Sequence, residues 1–338
     1  MICPHCSVNL LRRERNGRVC GGCKRPFALE PKESVLGLHD IRVRALADKL
    51  GDGRGLRYAL PQLWYAASRK HMPDLDKRFL GRRFLVSVPI VGLGVLGIIG
   101  GAFPAGPALA VILGAVILVN IAMTAFKARI VRGMPVKMPV PYEKFRAEVL
   151  DRWGKVYGGP PPGSIPEGAA PPPGPPRPRL AAVCPDRGVL ACLAANDAAG
   201  AWGMALADRL EHLPPGVPVL ILHDASVAGL RFAAETQAAL GPRAVPVGIA
   251  PRALLDKEKA LRLRHGRPEP DELQRLRAGS VSEAEIAWLA DGWWSPLAAV
   301  PPAKLLAAVG SAVQRVEDAG DPDRRRARAV GFLTWPTG

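Results

Sequence analysis

Charge is missing from the centre of this chain. Between Phe84 and Phe126 no Asp, Glu, Lys or Arg occurs in 43 positions, a run long enough for two membrane crossings of about 20 residues each. Gly100-Gly101 and Pro104 to Pro107 mark a turn, so the predicted crossings are Phe84 to Ala102 and Pro107 to Phe126. The turn also lacks Lys and Arg. By contrast, Arg69, Lys70, Lys77, Arg78, Arg82 and Arg83 precede the first crossing, and Lys127, Arg129, Arg132 and Lys137 follow the second. Cationic flanks stay on the cytoplasmic side, so both termini are expected in the cytosol, with the hairpin in the inner cell membrane. No ionisable residue lies within the crossings, which argues against a transporter. No long apolar run precedes position 84, so no signal peptide is expected. The competing reading is a hairpin buried in a soluble core.

Gly92-Leu93-Gly94-Val95-Leu96-Gly97 matches a dinucleotide fingerprint, yet no strand precedes it and no soluble helix follows it. Its small residues instead suit close helix approach, with Gly97 and Gly101, or Ala110 and Gly114, at the four-residue spacing. Asn120, the only amide at depth, is expected to bond across the helices.

The net charge of +16 is not spread evenly: residues 1–83 carry +10, residues 127–159 carry +5 and the remainder +1. The excess is juxtamembrane, and its simplest partner is the anionic inner leaflet, at about 1 kcal/mol for each cation near the surface. Nucleic acid is the other candidate partner of the basic N-terminal region.

Cysteine is also scarce, with six in all, but four form two C-x-x-C pairs, Cys3/Cys6 and Cys20/Cys23, thirteen residues apart. In a chain with cytosolic ends that spacing points to metal before disulfide. Two thiolates separated by two residues bind one ion from a tight turn, whose geometry Gly21 or Gly22 is expected to permit. The N-terminal stretch resembles a zinc ribbon. That resemblance implies a structural zinc with no open coordination position, and a surface made basic by Arg12, Arg13, Arg15, Arg18, Lys24 and Arg25 that meets protein, lipid or nucleic acid. His5 is expected to be a turn residue.

Leu38, Ile41, Val43, Leu46, Ala47 and Leu50 have helical spacing, Leu56 to Leu60 reads as a strand, and Pro61 begins a helix over Gln62 to Lys70. Tyr142 to Tyr157 reads as an amphipathic helix whose apolar face (Phe145, Val149, Leu150, Trp153) is expected to lie on the bilayer. Gly158 to Arg179 carries ten prolines and reads as an extended tether.

Beyond it, strands at Leu180 to Val183, Val217 to His223 and Ala244 to Ile249 alternate with helices at Ala198 to Leu210 and Val227 to Leu240, the pattern of a parallel sheet wrapped by helices. Further helices are read at Glu272 to Ala278, Ser282 to Asp291 (Ser282 and Glu285 as a capping box) and Pro302 to Asp318. Ligands of such sheets bind outside the carboxyl ends of strands, where Asp224 and Ser226 fall. The stretch His223-Asp224-Ala225-Ser226 resembles a Toprim domain, in which an Asp-x-Asp pair and an earlier acid hold magnesium. The resemblance implies a divalent-metal or ligand site at Asp186, Asp224 and Ser226, impaired because a hydroxyl stands where a carboxylate is required. His212, His223 and His265 have no Ser or Cys partner at motif spacing, and Cys184 and Cys192 read as buried small apolar residues.

The expected fold is a multidomain membrane protein: a small zinc ribbon (1–30), a small basic helical unit (31–83), a two-helix transmembrane hairpin (84–126), a juxtamembrane amphipathic helix (127–157), a Pro-rich linker (158–179) and a C-terminal α/β, Rossmann-like or Toprim-like domain (180–338). The expected function is a membrane-anchored, non-catalytic adaptor or regulator that recruits a protein partner. The alternatives are a membrane-tethered nucleic-acid binder or metal-dependent enzyme, and a subunit of an envelope complex.

Overall fold

Val43, Ala47 and Leu50 bury one face of helix α1, Asp40–Gly51, which Asp52 closes in the left-handed conformation at φ 54°. The expected strand is the short β1, Tyr58–Ala59, and helix α2, Leu60–Ser68, carries Pro61 in its first turn, where a missing N–H breaks no bond. The computed structural model describes residues 1–101, 104–166, 174–257, 260–279 and 281–320. It divides into two units: Met1–His71 with Met138–Arg262 and Arg267–Gly338, and Met72–Lys137 with Leu263–Gly266.

The smaller unit contains the uncharged run. Helix α3, Leu75–Ile99, starts nine residues before the expected crossing because Asp74 caps it, accepting the N–H groups of Asp76 and Lys77. Helix α4 is Ala105–Ala125, so it begins within the far-face turn expected around 102–107, of which residues 102 and 103 lie outside the described residues. The most apolar windows of these helices have mean hydropathy 1.8 and 2.4 and are not buried at all, so by length and composition both can cross a membrane. They meet closely at Gly94, where a Cβ would lie 2.3 Å from Ile112 Cδ1. The contacts expected at Gly97 with Gly101 or Ala110 with Gly114 are not the close ones, since a Cβ on Gly101 or Gly114 meets nothing within 4 Å. Asn120 does bond across the pair, accepting from Arg83 Nε at 2.9 Å and donating to Ser87 Oγ at 3.2 Å. After α5, Lys127–Arg132, the segment Leu263–Gly266 returns to this unit: Val136 bridges Arg264, whose guanidinium donates to the carbonyls of Met134 and Val131.

In the larger unit, α6 (Tyr142–Phe145), a π-helical turn (Arg146–Leu150) and α7 (Asp151–Tyr157) form the predicted amphipathic helix. Its apolar face does not wait for lipid. Phe145, Val149, Leu150 and Trp153 are buried with Val43, Leu50 and Leu63 of α1 and α2, which removes the face that interfacial binding needs.

The start of the Pro-rich segment is not a free tether either. Ser164–Ile165 forms β2, parallel to β1, and Tyr58 Oη donates to Pro162 O at 2.9 Å; residues 167–173 lie outside the described residues.

The chain then runs through β3 (Leu180–Val183), α8 (Arg187–Ala195), α9 (Ala198–Trp202), β4 (Met204–Ala207), β5 (Val219–Ile221), α10 (Val227–Leu240), β6 (Ala244–Pro246), α11 (Arg252–Leu255), α12 (Pro270–Arg277), α13 (Glu283–Ala290) and α14 (Pro302–Gly320). The helix expected over Ala198 to Leu210 is replaced by α9 and the strand β4. The sheet is fully parallel in the order β4-β3-β5-β6. Ala181, Val183, Val219 and Ile221 turn one face onto Phe232 and Ala233 of α10. This α/β part is continuous with the N-terminal elements rather than tethered to them: Gln62 Nε2 donates to Val300 O at 2.8 Å, and Asn196 bonds both backbone groups of Arg57 at 2.8 and 2.7 Å.

Candidate metal centre and ligand crevice

The two C-x-x-C pairs form matching turns. An antiparallel bridge closes each (Ile2 with Asn9, Val19 with Pro26), and the residue after the second cysteine, Ser7 or Lys24, is left-handed at φ 59° or 58°. The glycines are not what permits the turn conformation. Gly21 is needed for a close approach, because a Cβ there would lie 2.7 Å from the Glu14 carbonyl that its N–H reaches.

Cys3 and Cys23 Sγ are 3.8 Å apart, as are Cys6 and Cys20, and all four lie within 4.8 Å of one another. A tetrahedron of about 2.3 Å Zn–S bonds has edges of about 3.8 Å, whereas a disulfide requires about 2.05 Å. The cluster can hold one metal ion and fits zinc. The Cys20 thiol is held down to about 6, chiefly by the Cys23 backbone N–H and then by Cys3 and Gly22, so it ionises readily for a metal. An ion held by all four sulfurs would have no position for water or substrate, the arrangement of structural zinc sites. His5 is not in the cluster; its Nε2 lies 2.8 Å from Pro26 O.

Residues distant in sequence hold this ribbon to the helices behind it. The buried Asp40 carboxylate accepts the N–H groups of Ala28 and Leu29 at 2.8 and 2.9 Å and the Tyr157 hydroxyl. Arg44 donates to Pro4 O at 3.4 Å and lies over the rings of Tyr157 and Trp153 at 5.2 and 5.9 Å. Arg15, expected on the basic surface, instead pairs with the buried Glu30 at 3.3 Å, while Arg12, Arg13, Lys24 and Arg25 are exposed. No short-range motif signals any of these contacts.

The second site is at the carboxyl edge of the sheet. The chain leaves β3 toward β4 on one side and β5 lies on the other, so the crevice between β3 and β5 is a topological switch point. A cavity of about 340 Å³ opens there, lined by Cys184, Pro185 and Asp186 after β3, Leu222, His223 and Asp224 after β5, and the start of α10. The structure thus brings Asp186, Asp224 and Ser226 together. Two of them also cap helices: Asp186 Oδ1 caps α8 through Gly188 and Val189, and Ser226 Oγ caps α10 through Gly229. Gly229 allows the helix start to sit against Asp224, since a Cβ there would be 2.5 Å from the Asp224 carbonyl.

Asp224 Oδ1 accepts Leu297 N–H at 2.6 Å, and burial raises its pKa, with the charge of Asp186 adding to the shift. Burial and the charges of Asp224 and Asp186 likewise push the Tyr65 phenol up. The buried Cys184 and Cys192 thiols are each pushed up to about 12, the opposite of an activated nucleophile.

Among the described residues only the four cysteines bring three or more metal-ligating side-chain atoms within 4.8 Å of one another. The expected magnesium has no such preformed cluster here. A larger, more open hollow of about 510 Å³ beside α7 presents Arg146, Asp151 and Lys155, all exposed, and no buried polar group. Comparison of the chain with protein families, curated proteins and solved structures finds no match, for the sheet as for the ribbon.

Proposed function

We propose that this protein is a membrane-anchored cytosolic regulator whose hairpin holds it at the inner membrane, whose zinc ribbon stabilises the aqueous unit, and whose sheet binds a ligand without turning it over. The hairpin carries the reading: two helices whose apolar windows, at mean hydropathy 1.8 and 2.4, hold no buried residue need a solvent other than water. Cations flanking both helices support cytosolic termini and contact with the anionic leaflet. A non-catalytic role is supported by the backbone N–H groups that hold Asp186 Oδ1, Asp224 Oδ1 and Ser226 Oγ and by the inert buried thiols. The test is extraction and labelling. The intact chain stays in membranes at alkaline pH, and a cysteine placed at Gly158 resists an impermeant reagent outside intact cells. Release into the supernatant, or labelling at 158, would end the reading.

Nucleic acid is the second reading, favoured by the exposed Arg12, Arg13, Lys24 and Arg25 on the ribbon. It predicts DNA or RNA retention that falls steeply between low and physiological salt. A metal-dependent enzyme would add nicking or relaxation of DNA lost in Asp224→Ala.

A further inference from the structure

His223 is only 7% exposed, yet one of its nitrogens has no protein partner among the described residues. Nδ1 lies 2.9 Å from the Asp224 carbonyl oxygen, which can only accept, so Nδ1 carries the proton and Nε2 presents a lone pair. Gly248 packs its bare backbone against the ring, since a Cβ there would lie 2.2 to 2.4 Å from the ring atoms. Around it, Asp224 and Asp186 each commit Oδ1 to backbone N–H groups and leave Oδ2 without a protein partner among the described residues.

Fixed acceptors therefore dominate the crevice, no Lys or Arg among the described residues lines it, and the helix starts at α8 and α10 are already capped by Asp186 and Ser226. Phosphates and carboxylates would be repelled. A single metal ion is a poor fit, since these oxygens and Nε2 do not gather within 4.8 Å. Pro185, Leu222 and Phe232 supply an apolar wall, and 340 Å³ is near the lower end of ordinary small-molecule sites.

We propose that the crevice binds a small organic cation, a primary ammonium or guanidinium on a short hydrocarbon body, with its charge against Asp186 and Asp224 and one N–H donated to His223 Nε2. This deepens the ligand-binding part of the function proposed above, rests on it, and is independent of the membrane anchor.

Titration calorimetry on the full chain in zwitterionic nanodiscs, with agmatine, putrescine and spermidine as probes, tests it. Saturable one-to-one binding of at least one probe is expected, weakened about tenfold or more in Asp224→Asn. That variant keeps an Oδ1 acceptor for Leu297 N–H; should its melting temperature fall, Asp186→Asn, which keeps its cap, replaces it. Asp208→Asn, outside the crevice, leaves the affinity unchanged. No binding of any probe at millimolar concentration, or binding indifferent to both crevice variants, overturns the proposal. So does tighter binding of a blocked arginine peptide than of agmatine. Pyrophosphate binding in place of the cations overturns the ligand class while keeping a ligand-binding domain, and magnesium-dependent hydrolysis of it overturns both readings.

Discussion

Ser7 and Lys24 occupy a left-handed backbone that most residues avoid, and both do so one position after a cysteine of the tetrahedral cluster. A bound ion holding the turns would offset that local cost, and the six thiols should fall into two sets, the four clustered ones responding to metal and the two buried ones to unfolding. In the zinc-loaded chain none should react rapidly with a thiol reagent, a strong chelator should release four, and denaturant the remaining Cys184 and Cys192. Finding six reactive thiols after chelation alone would mean the α/β core depends on the metal. The cysteines were legible because their spacing is local. Asp40 was not, since its partners Ala28, Leu29 and Tyr157 are 11 to 117 positions away. Removing that buried carboxylate leaves two N–H groups and a hydroxyl without an acceptor, so Asp40→Ala should cost about 3 kcal/mol or more in chemical denaturation, against about 1 kcal/mol for Tyr157→Phe.

Periodicity identified which elements exist better than what covers them. Pro61, Ser282 and the run from Val227 to Leu240 all sit in the helices expected of them, because caps and helical spacing are written within a few residues. Met204–Ala207 was missed: four residues with two alanines carry no strand preference, and β4 is fixed by its ladder with β3. The stripe of Phe145, Val149 and Trp153 points to lipid from sequence and packs into the protein core instead, since such a stripe states a need for burial and not its source. The hairpin repeats the lesson, for small residues recur along it and only the structure singles out Gly94. Gly94→Leu should therefore drive Ile112 away and lower disulfide crosslinking between cysteines placed across α3 and α4. Gly114→Leu, with open space around it, should leave crosslinking near wild type.

The largest departure from expectation is in how the chain is divided. Composition suggested a ribbon, a helical unit and an α/β domain separated by an anchor and a proline tether, yet residues on both sides of the anchor share one hydrophobic core and one set of backbone bonds. An uncharged apolar or Pro-rich stretch looks like a boundary from sequence because contacts spanning over a hundred positions leave no periodic trace; Arg57 with Asn196 and Gln62 with Val300 are of that kind. On the function proposed above, the α/β part could not swing free of the cysteine turns, and any signal would pass through packing rather than through reach. Trp153 is buried in this shared core with Val43 and Leu50 of α1, and Arg44 of the same helix lies over its ring. When residues 1–71 and 138–338 are co-expressed as separate chains they should co-purify without a covalent link. Trp153→Ala, which removes about 3 to 5 kcal/mol of core packing, should abolish that capture while Arg146→Ala on the exposed side of the same helix does not. Two pieces that never associate would restore the tethered arrangement, and with it a mechanism based on recruitment over distance.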